Sequence, residues 1–86
     1  MVTAYKFNSA ISAAPDDTAN LAPYTTQQRL TDAIYVGALG NVAVVFQDGS
    51  VATFVAVPAG TFLRVACKRV NATGTTALNL LACYWV

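Results

Sequence analysis

From Ala33 to the C-terminus, apolar residues recur with the period of two that belongs to strands, whereas residues 8–32 show neither that period nor the 3.6-residue period of a helix. The segments "AIYVGAL" (33–39), "NVAVVFQ" (41–47), "FLRVACKRV" (62–70) and "ALNLLACYWV" (77–86) are rich in β-branched and aromatic residues and predict strands. Asp48-Gly49, "VPAGT" (57–61) and "NATGTT" (71–76) punctuate them as turns. Five or six short strands with Gly-containing turns predict an all-β fold, a small antiparallel β-sandwich or barrel spanning 33–86. Residues 1–32 are expected to form an irregular N-terminal arm. Within it "VTAYKF" (2–7) reads either as a short strand or as a docking segment, and Asp16 or Asp17 as a cap for a short helix.

The stretch "NVAVVFQDGSVATFVAVPAG" (41–60) predicts a hairpin. A two-residue type I′ turn at Asp48-Gly49 sets the register. Phe46 then faces Val51, Val44 faces Thr53 and Val42 faces Val55; on the other face Val45 meets Ala52 and Ala43 meets Phe54. Both faces are apolar or small, so the hairpin is expected to be covered on both sides.

Composition sharpens that expectation. Hydrophobic residues make up 56% of the 86 and charged residues 10%, with a net charge of +1. Soluble domains carry roughly 25% charged residues, so part of the apolar surplus is expected to meet another surface. A homo-oligomer, cyclic rather than dimeric, follows. The five cations give no polyanion-binding balance, and nucleic acid is not expected as a partner. Arg64, Lys68 and Arg69 cluster, which reads as a solvated patch or as a partner for acidic residues. Gly37, Gly40, Asp48, Pro58 and Arg64 interrupt every window that approaches membrane-spanning length. With no secretory leader pattern after Lys6, synthesis in the cytoplasm without membrane insertion is expected.

Catalytic chemistry is missing. The chain has no His and no Glu, and Asp16, Asp17, Asp32 and Asp48 are its only carboxylates. Ser and Cys nucleophiles lack a histidine to activate them. Scattered turn glycines form no phosphate-binding loop. No enzyme activity, cofactor or metal is expected. Cys67 and Cys83 read as free, buried thiols, although they would lie opposite each other if the last two strands paired around Thr75.

A pattern across Tyr35–Tyr84 carries a resemblance. "YVGALGNVAV" (35–44), "DGSVATF" (48–54), "VPAGTFL" (57–63), "RVNATGTTA" (69–77) and "LLACY" (80–84) follow one another in an order and spacing similar to the head spike-base family of tailed bacteriophages and gene-transfer agents. The resemblance implies a non-enzymatic virion protein that forms a ring on the phage head, a pentamer or trimer, against the major capsid protein and a spike or fibre protein. Asn41 stands where the family often has Asp, and Arg64 where it often has Pro. Residues 1–32 match nothing in it.

The leading expectation is a spike-base or decoration protein of the head. A tail-associated fibre adaptor or receptor-binding knob, and a ligand-binding oligomeric β module with exposed aromatics, are the alternatives. Candidate oligomer or capsid contacts are Tyr5, Phe7 and Ile11 in the arm, Val45 and Phe54 on the hairpin, and Trp85 beside the C-terminus.

Overall fold

The computed structural model describes residues 7–85; Tyr5 and most of "VTAYKF" lie outside them. Seven strands and one short helix follow in the order β1 (Ser9–Ser12), α1 (Ala22–Gln27), β2 (Ala33–Ala38), β3 (Gly40–Phe46), β4 (Val51–Val57), β5 (Thr61–Leu63), β6 (Cys67–Val70) and β7 (Leu78–Tyr84). They form two antiparallel sheets, ordered β1-β7-β2-β5 and β4-β3-β6. The two do not close into a barrel. Ile34, Val36, Leu80, Ala82 and Tyr84 of the first sheet pack in one core with Val42, Val44, Cys67 and Val70 of the second. Each fully buried Val or Ile contributes about 1.5–3 kcal/mol.

The β3–β4 hairpin forms in a different register from the expected one. Val45 pairs with Val51, Val44 with Ala52, Ala43 with Thr53 and Val42 with Phe54. The turn is the reason. The Phe46 amide donates to the Ser50 carbonyl at 2.9 Å and the Gly49 amide to the Phe46 carbonyl at 2.9 Å, so three residues, not two, span the loop. Gly49 takes φ 91° at the third position, the geometry of a three-residue hairpin loop. Asp48 caps it by accepting from the Ser50 amide at 2.9 Å and hydroxyl at 2.7 Å. The slip exchanges the faces of β4. Ala52 and Phe54 turn toward the core, while Val51 and Val55 face outward and exposed. β3 is buried on both faces, but β4 is covered on one only, so the two-sided cover expected for the hairpin holds for half of it.

The chain repeatedly changes sheets, and Gly40 makes the first crossing possible. β2 lies in one sheet and β3 in the other, with only Leu39 between them. A Cβ on Gly40 would collide with the Ala77 amide nitrogen, a backbone neighbour that cannot swing away. Opposite this corner β4 is bulged: Gly40 pairs with Val57 and Val42 with Phe54, leaving Val55 and Ala56 across from Asn41 alone. Ala56 adopts φ 55° there, and its amide donates to Asn41 Oδ1 at 2.9 Å. The Asn41 carbonyl also accepts from the Thr76 and Ala77 amides. One residue thus ties β3, the bulge and the 71–76 turn together.

The described residues of the expected arm are tied to the sandwich at several points. β1 pairs with β7, and Ala13 and Leu21 enter the core. The Asp16 amide donates to the Val70 carbonyl and the Leu21 amide to the Lys68 carbonyl, so the 13–21 segment runs beside β6. Asp16 is not a helix cap; it accepts from the Thr18 and Ala19 amides in a local turn. Leu21 caps α1 instead, with Pro23 in the first turn and Gln28 closing it at φ 53°. Cys67 and Cys83 are free and buried. β6 pairs with β3 and β7 with β1 and β2, so the two cysteines lie on strands of different sheets and do not face each other around Thr75.

Two backbone substitutions should act in opposite directions. A Cβ at Gly49 would meet nothing within 4 Å, so Gly49→Val tests chiefly conformational strain and should cost about 1–3 kcal/mol in thermal or denaturant unfolding. Ala56→Gly removes a left-handed alanine, and the relief exceeds the added chain entropy, for a net gain of about 0.5–1 kcal/mol. An unchanged melting temperature in either variant contradicts the turn or the bulge assigned to it.

Candidate functional site

The polar chemistry of the described residues is spent on holding the chain together. Asp17 accepts from the Thr73 amide at 2.8 Å and hydroxyl at 2.7 Å, clamping the 71–76 turn. Backbone hydrogen bonds from Ala19 and Thr18 hold the Asp16 carboxyl below its usual range, those from Thr73 do so for Asp17, and the Ser50 hydroxyl and amide for Asp48. Arg69 spans Asn71 Oδ1 at 3.1 Å, Asn20 Oδ1 at 3.1 Å and the Thr18 carbonyl. The Lys68 ammonium lies 5.7 Å above the Tyr24 ring. Two of the three expected clustered cations therefore serve the chain itself. Among the described residues no three His, Cys, Asp or Glu side chains gather where a metal ion would need them. No helix there is long and apolar enough to cross a membrane.

Several large apolar side chains also stand exposed on the surface. On the outer face of the four-stranded sheet, Tyr35 and Phe62 are cross-strand partners with ring centroids 5.0 Å apart. Phe7 stacks on Phe62 at 5.8 Å, and Leu81 sits beside Tyr35 on β7. Phe62 is 48% exposed and Leu81 40%. A groove of about 540 Å³ runs from this face along Ser12–Pro15 and Thr75–Leu81. The other sheet shows Val51 and Val55 on its edge strand, Val55 71% exposed. Exposed Leu39 and Leu78 flank the corner at Gly40.

The candidate contacts from the sequence are divided by this arrangement. Trp85 is 53% exposed while its backbone is pinned: its amide donates to Asp32 Oδ2 at 2.6 Å and its carbonyl accepts from Arg29 Nη1 at 3.2 Å. Phe7 is half-buried in the aromatic cluster. Ile11 and Phe54 pack against the chain's own core, and Val45 is buried. Tyr5 lies outside the described residues. Sequence reading missed Phe62, Tyr35, Val51 and Val55. The first two become neighbours only through the β2–β5 pairing, and the Val pair turns outward only in the observed register.

At one end of the sandwich Tyr84 is buried with its hydroxyl unpaired among the described residues. Burial, reinforced by nearby Cys67 and Asp32, pushes this phenol up to about 12. Burial raises the Cys67 and Cys83 thiols as well.

Comparison with known proteins places the fold. No protein-family model matches the chain, and no curated protein matches it. Among solved structures, a chain from the capsid of a native gene transfer agent (GTA) particle, computed with C5 symmetry, superposes with a TM-score of 0.77 at 27% identity. The match covers 96% of this chain and 90% of that one.

The Tyr84 phenol titrates higher in the folded than in the unfolded chain, where it titrates near pH ~10. The stability it carries is therefore complete below pH ~10 and is lost as the pH rises toward about 12. Tyr84→Phe should leave stability at pH 7 unchanged or raised, because it removes an unpaired buried hydroxyl. It should also shift the alkaline unfolding midpoint upward, beyond the earlier decline that the two thiols impose on both proteins. Parallel pH melts of the two proteins with superimposable alkaline limbs would refute the assignment.

Proposed function

We propose that this chain is a non-enzymatic structural protein of a phage-like virion, a spike-base or decoration protein that assembles as a ring on the head. The observation that carries this reading is the match along nearly the whole chain to a component of a gene transfer agent capsid. The order of motifs from Tyr35 to Tyr84 supports the spike-base assignment. The absence of histidine and glutamate from the sequence supports a structural role. The protein is made in the host cytoplasm and resides in the virion, with the major capsid protein and a spike or fibre protein as neighbours.

Ring formation draws support from two sources. Nine formal charges serve 86 residues, and large apolar side chains stand exposed on both sheets. The matched capsid, computed with C5 symmetry, is compatible with a pentamer. Within the ring, Trp85, Phe7 and Tyr5 remain the proposed contacts of the original six, joined by Phe62, Val51 and Val55. Ile11 and Phe54 support that surface from the core side, while Val45 is buried beside Val51 on the opposite face of the second sheet.

Sedimentation and particle binding test the reading together. The wild-type chain at micromolar concentration should sediment as a closed oligomer and co-sediment with purified heads, with cryo-EM placing it on the capsid. Val55→Lys, at a side chain 71% exposed, should keep the circular dichroism of the wild type and weaken association at least tenfold. A folded wild-type monomer with no affinity for heads would sink the proposal; density on the tail would move it there.

A further inference from the structure

Each sheet of the sandwich has an open edge, and the two lie on opposite flanks of the molecule. β2 and β3 run through the middle, with only Leu39 between them. β4 and β5 lie on one side of that pair, and β7, β1 and β6 on the other. The β6 edge is closed, because the Asp16 amide donates to the Val70 carbonyl and the Leu21 amide to the Lys68 carbonyl. β5 is only three residues long. That leaves β1 on one flank and β4 on the other.

The ladder fixes which backbone groups these edges present. In an antiparallel pair, residues bonded to the neighbouring strand alternate with residues whose N–H and C=O point away from it. The Phe46 amide donates to the Ser50 carbonyl, so Ala52 and Phe54 bond β3, and Val51 and Thr53 direct their backbone groups outward. The Ala13 amide donates to the Leu80 carbonyl, so Ser9 and Ile11 bond β7, and Ala10 and Ser12 direct theirs outward. Ala10, Ser12, Val51 and Thr53 are exposed, and their outward groups have no partner among the described residues. Native edges are commonly guarded by a charge or a proline. Neither Ser9–Ser12 nor Val51–Val57 contains one. The bulge at Val55 and Ala56, with Pro58 beyond it, guards only the far end of β4.

We propose that β4 of one copy adds to the β1 edge of the next, so that neighbouring subunits of the ring are joined by backbone hydrogen bonds. This rests on the ring reading above and names the strands that make its contact. Unlike edges on opposite flanks give a head-to-tail contact, which leaves one edge of each kind open for a further copy and ends as a ring when the rotation closes. A β4–β4 pair would instead stop at a two-fold dimer and leave β1 open. Ala10 and Ser12 are small and uncharged, so they set no bulky side chain against Val51 and Thr53.

The test uses the full chain carrying Ser12→Cys, Thr53→Cys or both. The native Cys67 and Cys83 are buried, and the wild type treated with the same short bismaleimide linker is the control. The double variant should give a ladder of covalent multimers on a denaturing gel, ending at the ring size. The two single variants mixed should give dimers, and neither alone should. Thr53→Pro removes an outward N–H but no rung to β3, a change that an edge strand tolerates. It should keep the circular dichroism of the wild type and weaken association roughly tenfold. Dimers from Thr53→Cys alone overturn the proposal in favour of a two-fold pair. A closed oligomer without the ladder, or Thr53→Pro associating as tightly as the wild type, overturns the pairing and leaves the ring reading standing. A wild-type monomer in sedimentation overturns both.

Discussion

Thr31 is the stitch on which the two sheets depend. It is 2% exposed, the buried polar residue of the described chain. Its hydroxyl donates to the Val65 carbonyl at 2.6 Å and accepts from the Cys67 amide at 3.0 Å, while its own amide donates to the Cys67 carbonyl. Thr31 precedes β2 of one sheet, and Cys67 opens β6 of the other. The hydroxyl thus satisfies two backbone groups at the open side of the sandwich, where no ladder reaches them. Valine would fill similar space but leave those groups buried and unpaired, a penalty larger than the net value of a hydrogen bond. On β6 itself, which pairs with β3, Arg69 reaches across to Asn20.

That stitching explains the distribution of polarity. Asp16, Asp17, Asp48, Lys68 and Arg69 each serve a turn, a ring or a carbonyl of the chain itself. Few charged groups are left to cover the outer faces of the sheets. The apolar exterior at Phe62, Leu81, Val51 and Val55 is the counterpart of a polar inventory consumed in cross-links.

The all-β class and most strands were legible because β-branched and aromatic runs separated by Gly and Pro say so locally. The hairpin register was not. Asp-Gly is compatible with a two-residue loop and with a three-residue loop that places glycine last, and only the backbone geometry separates them. One residue of slip moved Phe54 from a pair with Ala43 to a pair with Val42, on the face that packs against the core. β1 lay hidden in "SAIS", four residues whose strand character comes from the edge of β7 that they complete. α1, six residues long, is too short to show a period and owes its existence to Pro23 and to the left-handed Gln28. Of the candidate contacts read from the sequence, Trp85 is exposed in the fold. Phe62 and Tyr35 needed the long-range pairing of β2 with β5.

The pairing of β1 with β7 brings the beginning and the end of the described chain together, since Ser9 lies opposite Tyr84 and the Asn8 amide donates to the Tyr84 carbonyl. From residue 7 to residue 85 the chain is topologically a nearly closed loop. A short glycine-rich bridge joining the two ends, with a new opening cut at the exposed Asp48-Gly49 tip, would preserve every strand pairing of both sheets. Cargo attached beside Ser9 or Tyr84 would leave from the β1 edge of the first sheet. Cargo attached at the new ends would leave from the tip of the other, so the same sandwich can display a passenger in two directions.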